Sequence, residues 1–117
     1  MTVRGDVVLV DFPFSDGAGG KVRPALVVQN DRDNQKIHKT VIAMITGNLR
    51  RRNDPSHFLI DPADADGASA GLAGLSVVSC NNLFTIDQAA ILRRLGHLSD
   101  VLKQQLGDCL KSALELV

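Results

Sequence analysis

Nucleophilic serine, metal, thiol and phosphate-loop chemistry each have candidate residues in this chain, and in each case the spacing fails. Gly67-Ala-Ser-Ala-Gly71 matches G-x-S-x-G. That elbow, however, needs a buried strand before the serine and a helix after it, in a parallel sheet. The preceding residues are Asp61-Pro-Ala-Asp-Ala-Asp66, and a chain of 117 residues cannot hold such a sheet. Gly19-Gly20-Lys21 has the look of a phosphate loop. The Walker pattern would place Gly at 15 and Ser or Thr at 22, where Ser15 and Val22 stand. His38, His57 and His97 lie far apart, and neither Cys80 nor Cys109 has a ligand-spaced neighbour. No metal and no cofactor is expected. The histidines are expected in structural or surface places, and the cysteines as a reduced thiol pair. What remains is cationic. Residues 21–58 carry eight bases against three acids, although thirteen bases balance thirteen acids overall. Such a stretch can gather into a patch that attracts an anion while the molecule stays neutral. Charge alone suggests nucleic acid without establishing it.

The elements that must hold these residues are mostly strands. With 12 Val, 15 Leu and 6 Ile against 4 Phe and no Tyr or Trp, the core is aliphatic and the chain is not disordered. Its length predicts a single domain over residues 1–117 that needs no disulfides. No apolar run is long enough to span a bilayer, and no leader opens the chain, so a cytoplasmic protein with no membrane association is expected. Strands are predicted over Asp6–Phe12, Val22–Asn30, Thr40–Thr46 and His57–Asp61, with two more over Ser76–Cys80 and Leu83–Ile86. Phe14 to Lys21 is a glycine-rich loop, Asn30–Asn34 a polar turn, and Asp61–Gly74 a long loop. Residues 88–98 fit either a helix or a turn followed by a strand. Ser99 can cap a final helix, whose apolar stripe is Leu102, Leu106, Cys109, Leu110, Ala113, Leu114 and Val117. The sum is a small β-barrel or strongly bent sheet with a C-terminal helix packed on it.

Several segments, read in order, carry a resemblance. They are Arg4-Gly-Asp-Val, Lys21-Val-Arg-Pro-Ala-Leu-Val-Val-Gln-Asn-Asp31, Ala43-Met-Ile-Thr-Gly-Asn48 and Pro55-Ser-His-Phe-Leu-Ile-Asp61. Leu75-Ser-Val-Val-Ser-Cys-Asn-Asn-Leu-Phe-Thr-Ile-Asp87 and Leu95-Gly-His-Leu98 complete the set. Together they resemble the MazF/PemK family of toxin endoribonucleases across nearly the whole chain. The resemblance implies an SH3-like barrel with a C-terminal helix, a homodimer, and metal-independent cleavage of single-stranded RNA at short sequences. It also implies a cognate antitoxin whose acidic or extended tail lies over the active site. The family's catalytic arginine falls on Arg23 and its catalytic threonine on Thr46. Its active-site loop falls on Phe14 to Lys21, which adds Phe14, Ser15 and Lys21 to the substrate-binding candidates. Asn48 and Asn82 complete them.

Those residue types suit the reaction. RNA carries its own nucleophile, the 2′-hydroxyl, so the protein must align the attacking and leaving oxygens, hold the developing phosphoryl charge and move two protons. Arg23 offers a planar cation that can hold two phosphate oxygens at once. Thr46 offers a hydroxyl that both donates and accepts. No residue is assigned as the general base. The alternative is a non-catalytic, CcdB-like toxin of the same fold that binds a protein such as DNA gyrase, which needs neither side chain. A plain SH3-like module would use the Tyr and Trp that this chain lacks.

Overall fold

Period-two alternation assigns the apolar residues of the central strands to two opposite faces, and both faces are buried. A computed structural model describes residues 2–12 and 21–116. Strands β1 (Asp6–Phe12), β2 (Lys21–Val27), β3 (Lys39–Thr46), β4 (His57–Ile60), β5 (Ser76–Asp87) and β6 (Ile91–His97) form one sheet in the order β4-β5-β3-β2-β1-β6. Every pairing is antiparallel. On one face, Val7, Leu26, Ala43, Ile45, Phe58, Ile60, Val78 and Cys80 pack with Leu102, Leu106 and Cys109 of helix α2 (Asp100–Leu114). On the other, Val8, Val10, Phe12, Ala25, Val27, Ile42 and Ile86 enclose a second core. A single helix cannot cover both sides, so the sheet curls to close the second core on itself. The expected bent sheet with a C-terminal helix is therefore present.

Register shifts interrupt the ladders of β1 with β6 and of β3 with β5. Ala43 pairs with Leu83 but Met44 pairs with Ser79, so Cys80, Asn81 and Asn82 are absorbed in a register shift. The extra residues reverse the alternation: Phe84 and Ile86 on one side of the shift share a face with Ser79 and Val77 on the other. Two predicted strands are thus one long strand with an irregularity where the asparagines stand. Residues 88–98 resolve as the turn-and-strand alternative, a 3-10 turn over Gln88–Ala90 leading into β6.

Other boundaries also move. β2 ends at Val27 rather than Asn30. Asn30–Asn34 is not a turn but the start of helix α1 (Asp31–Lys36), because the Asn30 side chain accepts from the Asp33 amide at 2.9 Å. The long loop contains a 3-10 turn over Ala68–Ala70. That turn lies directly on Gly96 of β6, where a Cβ would come within 2.3 Å of the Ser69 carbonyl oxygen. In α2, Ser99 caps as expected by accepting from the Leu102 amide. Leu114 is 52% exposed and leaves the buried stripe, while Val117 lies outside the described residues. Among the described residues no helix is long and apolar enough to cross a membrane.

Candidate active site

Register places the site. Arg23 is two residues before Ala25, and Ala25 pairs with Met44. Met44 pairs with Ser79, and Ser79 pairs with His57 on the next strand. Directly paired residues share a face, as do residues two apart along a strand. Arg23 of β2, Met44 and Thr46 of β3, Val77 and Ser79 of β5, and His57 of β4 therefore all point to the side of the sheet away from α2. They line a cavity of about 290 Å³ together with Asn48, Arg50, Arg51 and Asn82. Four sequence candidates, Arg23, Thr46, Asn48 and Asn82, come together here. Lys21 does not line this cavity; it is exposed at the start of β2. Phe14 and Ser15 lie outside the described residues.

Local turn chemistry orients the polar groups at the end of β3. The Asn48 amide donates to Thr46 Oγ1 at 3.1 Å, and the Arg50 amide donates to Asn48 Oδ1 at 3.0 Å. Two consecutive side-chain turns thus replace the strand ladder and fold the basic segment toward the cavity. Because Thr46 Oγ1 already accepts a hydrogen bond, its own hydrogen is the group left to offer. Arg23 is half-buried and forms no ion pair among the described residues, so its guanidinium donors are available to a ligand. Arg51 meets Asp54 at 3.5 Å, whereas Arg52 Nη1 donates to the Leu49 carbonyl and lies outside the cavity lining. The arrangement presents two or more cations and several neutral donors to one anion, a combination suited to a phosphodiester.

His57 is the lining residue that sequence spacing missed. Its side chain is only 4% exposed, and its Nδ1 lies 3.9 Å from Asp54 Oδ2. That distance is too long for a hydrogen bond, and Nδ1 is the buried side-chain polar atom left without one among the described residues. Its backbone is fixed from both sides: the His57 amide donates to the Asp54 carbonyl, and Cys109 Sγ donates to the His57 carbonyl at 3.2 Å. A lone histidine gives no sequence signal of this kind. Only the pairing of β4 with β5 brings it to the cavity that Thr46 lines. Among the described residues no three His, Cys, Asp or Glu side chains gather as a metal-binding group.

A curled antiparallel sheet backed by one helix, with arginines and hydroxyls converging in a cleft on the side away from that helix, defines a small β protein suited to hold a polyanion. Comparison with known proteins narrows this. Residues 3–114 match the model of the PemK-like, MazF-like toxins of type II toxin–antitoxin systems. The chain is 30% identical over 115 residues to Endoribonuclease EndoA of Bacillus subtilis, covering 97% of this chain and 95% of that protein. It is 28% identical over 121 residues to Endoribonuclease MazF of Staphylococcus saprophyticus, covering 99% and 93%. Its fold superimposes with a TM-score of 0.79 on a mycobacterial endoribonuclease solved in complex with its cognate antitoxin, at 23% identity and covering 100% and 98%. The chain belongs to the PemK-like, MazF-like toxin family. These relatives are named as endoribonucleases, so the CcdB-like alternative is not favoured.

Proposed function

We propose that this protein is a metal-independent, sequence-specific endoribonuclease toxin acting on single-stranded RNA in the cytoplasm as a homodimer, and restrained by a cognate antitoxin that covers the cavity. Family membership supports the activity, and one observation supports the site: Arg23 and Thr46 line one cleft on the side of the sheet away from α2. In this reading the RNA 2′-hydroxyl attacks the adjacent phosphorus and the 5′-oxygen leaves. Arg23 holds the phosphoryl oxygens with two parallel N–H donors as their charge grows. Thr46, oriented by the Asn48 amide, donates its hydroxyl hydrogen to the same phosphate or to the attacking oxygen. Asn48 and Asn82 contact the flanking nucleotides, and Phe14, Ser15 and Lys21 remain substrate-binding candidates on the family resemblance.

The test is incubation of purified protein with defined RNA in excess EDTA. The expected products end in a 2′,3′-cyclic phosphate and a free 5′-hydroxyl, and a deoxynucleotide at the scissile position blocks cutting there. Arg23→Ala should fold normally and lose roughly 10³-fold in rate, the loss typical of removing a main transition-state donor. Wild-type cleavage in that variant would remove Arg23 from the mechanism.

A further inference from the structure

In the proposed reaction, the base that takes the 2′-hydroxyl proton is still to be assigned. We propose that His57 is this base, oriented by Asp54. The inference rests on the endoribonuclease reading and deepens it.

The first support is position. His57 pairs with Ser79, which pairs in turn with Met44, two residues before Thr46. The ring therefore forms the wall of the cavity that also holds Arg23 and Thr46. The second is an anomaly. A buried polar atom without a partner costs about 1–3 kcal/mol, and folded proteins seldom retain one without a use. Nδ1 of His57 is such an atom, held 3.9 Å from the Asp54 carboxylate in a side chain that is 96% buried. The third is electrostatic. The Asp54 carboxylate, 3.9 Å from Nδ1, favours the tautomer with hydrogen on Nδ1, which leaves Nε2 as the basic nitrogen, and it favours the imidazolium formed in the step.

Several charged groups set the balance around the ring. Asp54 lies 3.9 Å from Nδ1 and is itself 3.5 Å from Arg51, while Arg23, Arg50 and Arg51 line the same cavity and the Cys109 thiol from α2 meets the His57 backbone oxygen. The step balances without a co-reactant. The 2′-oxygen bonds to phosphorus, the 5′-oxygen–phosphorus bond breaks, and the 2′-hydroxyl proton passes to Nε2. The leaving oxygen takes a proton from water, and the imidazolium returns one to solvent.

Single-turnover cleavage of an RNA that the wild type cuts, in EDTA from about pH 5 to about pH 9, spans the histidine range. The wild type should lose rate on acidification with a one-proton slope. His57→Gln should slow cleavage by roughly 10²–10⁴-fold, remove that acid limb, and bind the matching 2′-O-methyl RNA within about threefold of the wild type, since general acid–base catalysis acts on rate. Asp54→Asn, a change at a half-exposed side chain, should still cut but move the limb to lower pH, because the imidazolium loses its stabilising anion. His57→Gln cutting at the wild-type rate, keeping the acid limb, or losing rate and affinity in parallel would overturn the assignment. If His57→Gln fails to fold, an unmoved limb in Asp54→Asn overturns it instead. Failure of the underlying reading looks different: the wild type itself leaves RNA whole.

Discussion

At the scale of single residues, Thr46 and Arg23 differ in what a substitution takes away. The Thr46 hydroxyl is held by the Asn48 amide, so its value lies in a donor hydrogen fixed in direction. Thr46→Ser keeps the oxygen and should cleave RNA within about tenfold of the wild type. Thr46→Val keeps the shape, removes the donor and leaves the Asn48 amide unanswered, and should lose roughly 10²-fold or more in single-turnover rate. Equal losses in the two variants would assign Thr46 to packing. Arg23→Lys retains charge but exchanges a planar fork for a point charge, and should lose roughly 10–100-fold in rate while binding 2′-O-methyl RNA nearly as well. A purely electrostatic role would leave the rate unchanged.

At the scale of elements, the two thiols report on how α2 is seated. Cys80 of β5 and Cys109 of α2 belong to the same core. Burial, and secondarily the neighbouring Cys109, pushes the Cys80 thiol up from 9.0 to about 12. Burial also raises the Cys109 thiol. The unfolded chain releases these protons near pH 9 while the native chain keeps them. Their contribution to stability is therefore intact below about pH 9 and is lost as pH rises toward about 12. The urea midpoint of the wild type should fall more steeply over that interval than that of Cys80→Ala; parallel declines would mean that the thiol is not held neutral. This seating reaches the site, because Cys109 Sγ donates to the His57 carbonyl.

The same scale separates what was legible in the sequence from what was not. Asp6–Phe12 could be read to the residue, since alternation sets its two faces and the next residue in the sequence is a proline. The Asn30 cap with Asp31 and Asp33 in the first turn was also visible, but α1 is too short and polar to carry an apolar stripe. The single strand β5 was not legible, because its register shift depends on pairing with β3 and β4. Arg23 and Thr46 could be named from motif order. Their meeting, and the arrival of His57 beside them, depend on lateral pairings between strands distant in sequence.

At the scale of the whole molecule, a net charge of zero conceals a division along the chain. The basic stretch supplies Arg23, Arg50 and Arg51 to the cavity, and acids predominate after residue 58. RNA binding should therefore be strongly salt-dependent despite neutrality, with each phosphate-contacting cation contributing about 0.7 to the slope of log K against log salt for a single strand. The three consecutive arginines offer an internal comparison, because the fold treats them differently. Arg50 lines the cavity, Arg51 is paired with Asp54, and Arg52 caps the Leu49 carbonyl away from the lining. Arg50→Ala should reduce the slope for 2′-O-methyl RNA by about 0.7, and Arg51→Ala by less, since Asp54 already offsets its charge. Arg52→Ala should leave the slope unchanged. If all three variants shift it equally, the run acts as a diffuse positive surface. A reduction confined to Arg50 instead means that the turns starting at Thr46 select which cation meets the phosphate.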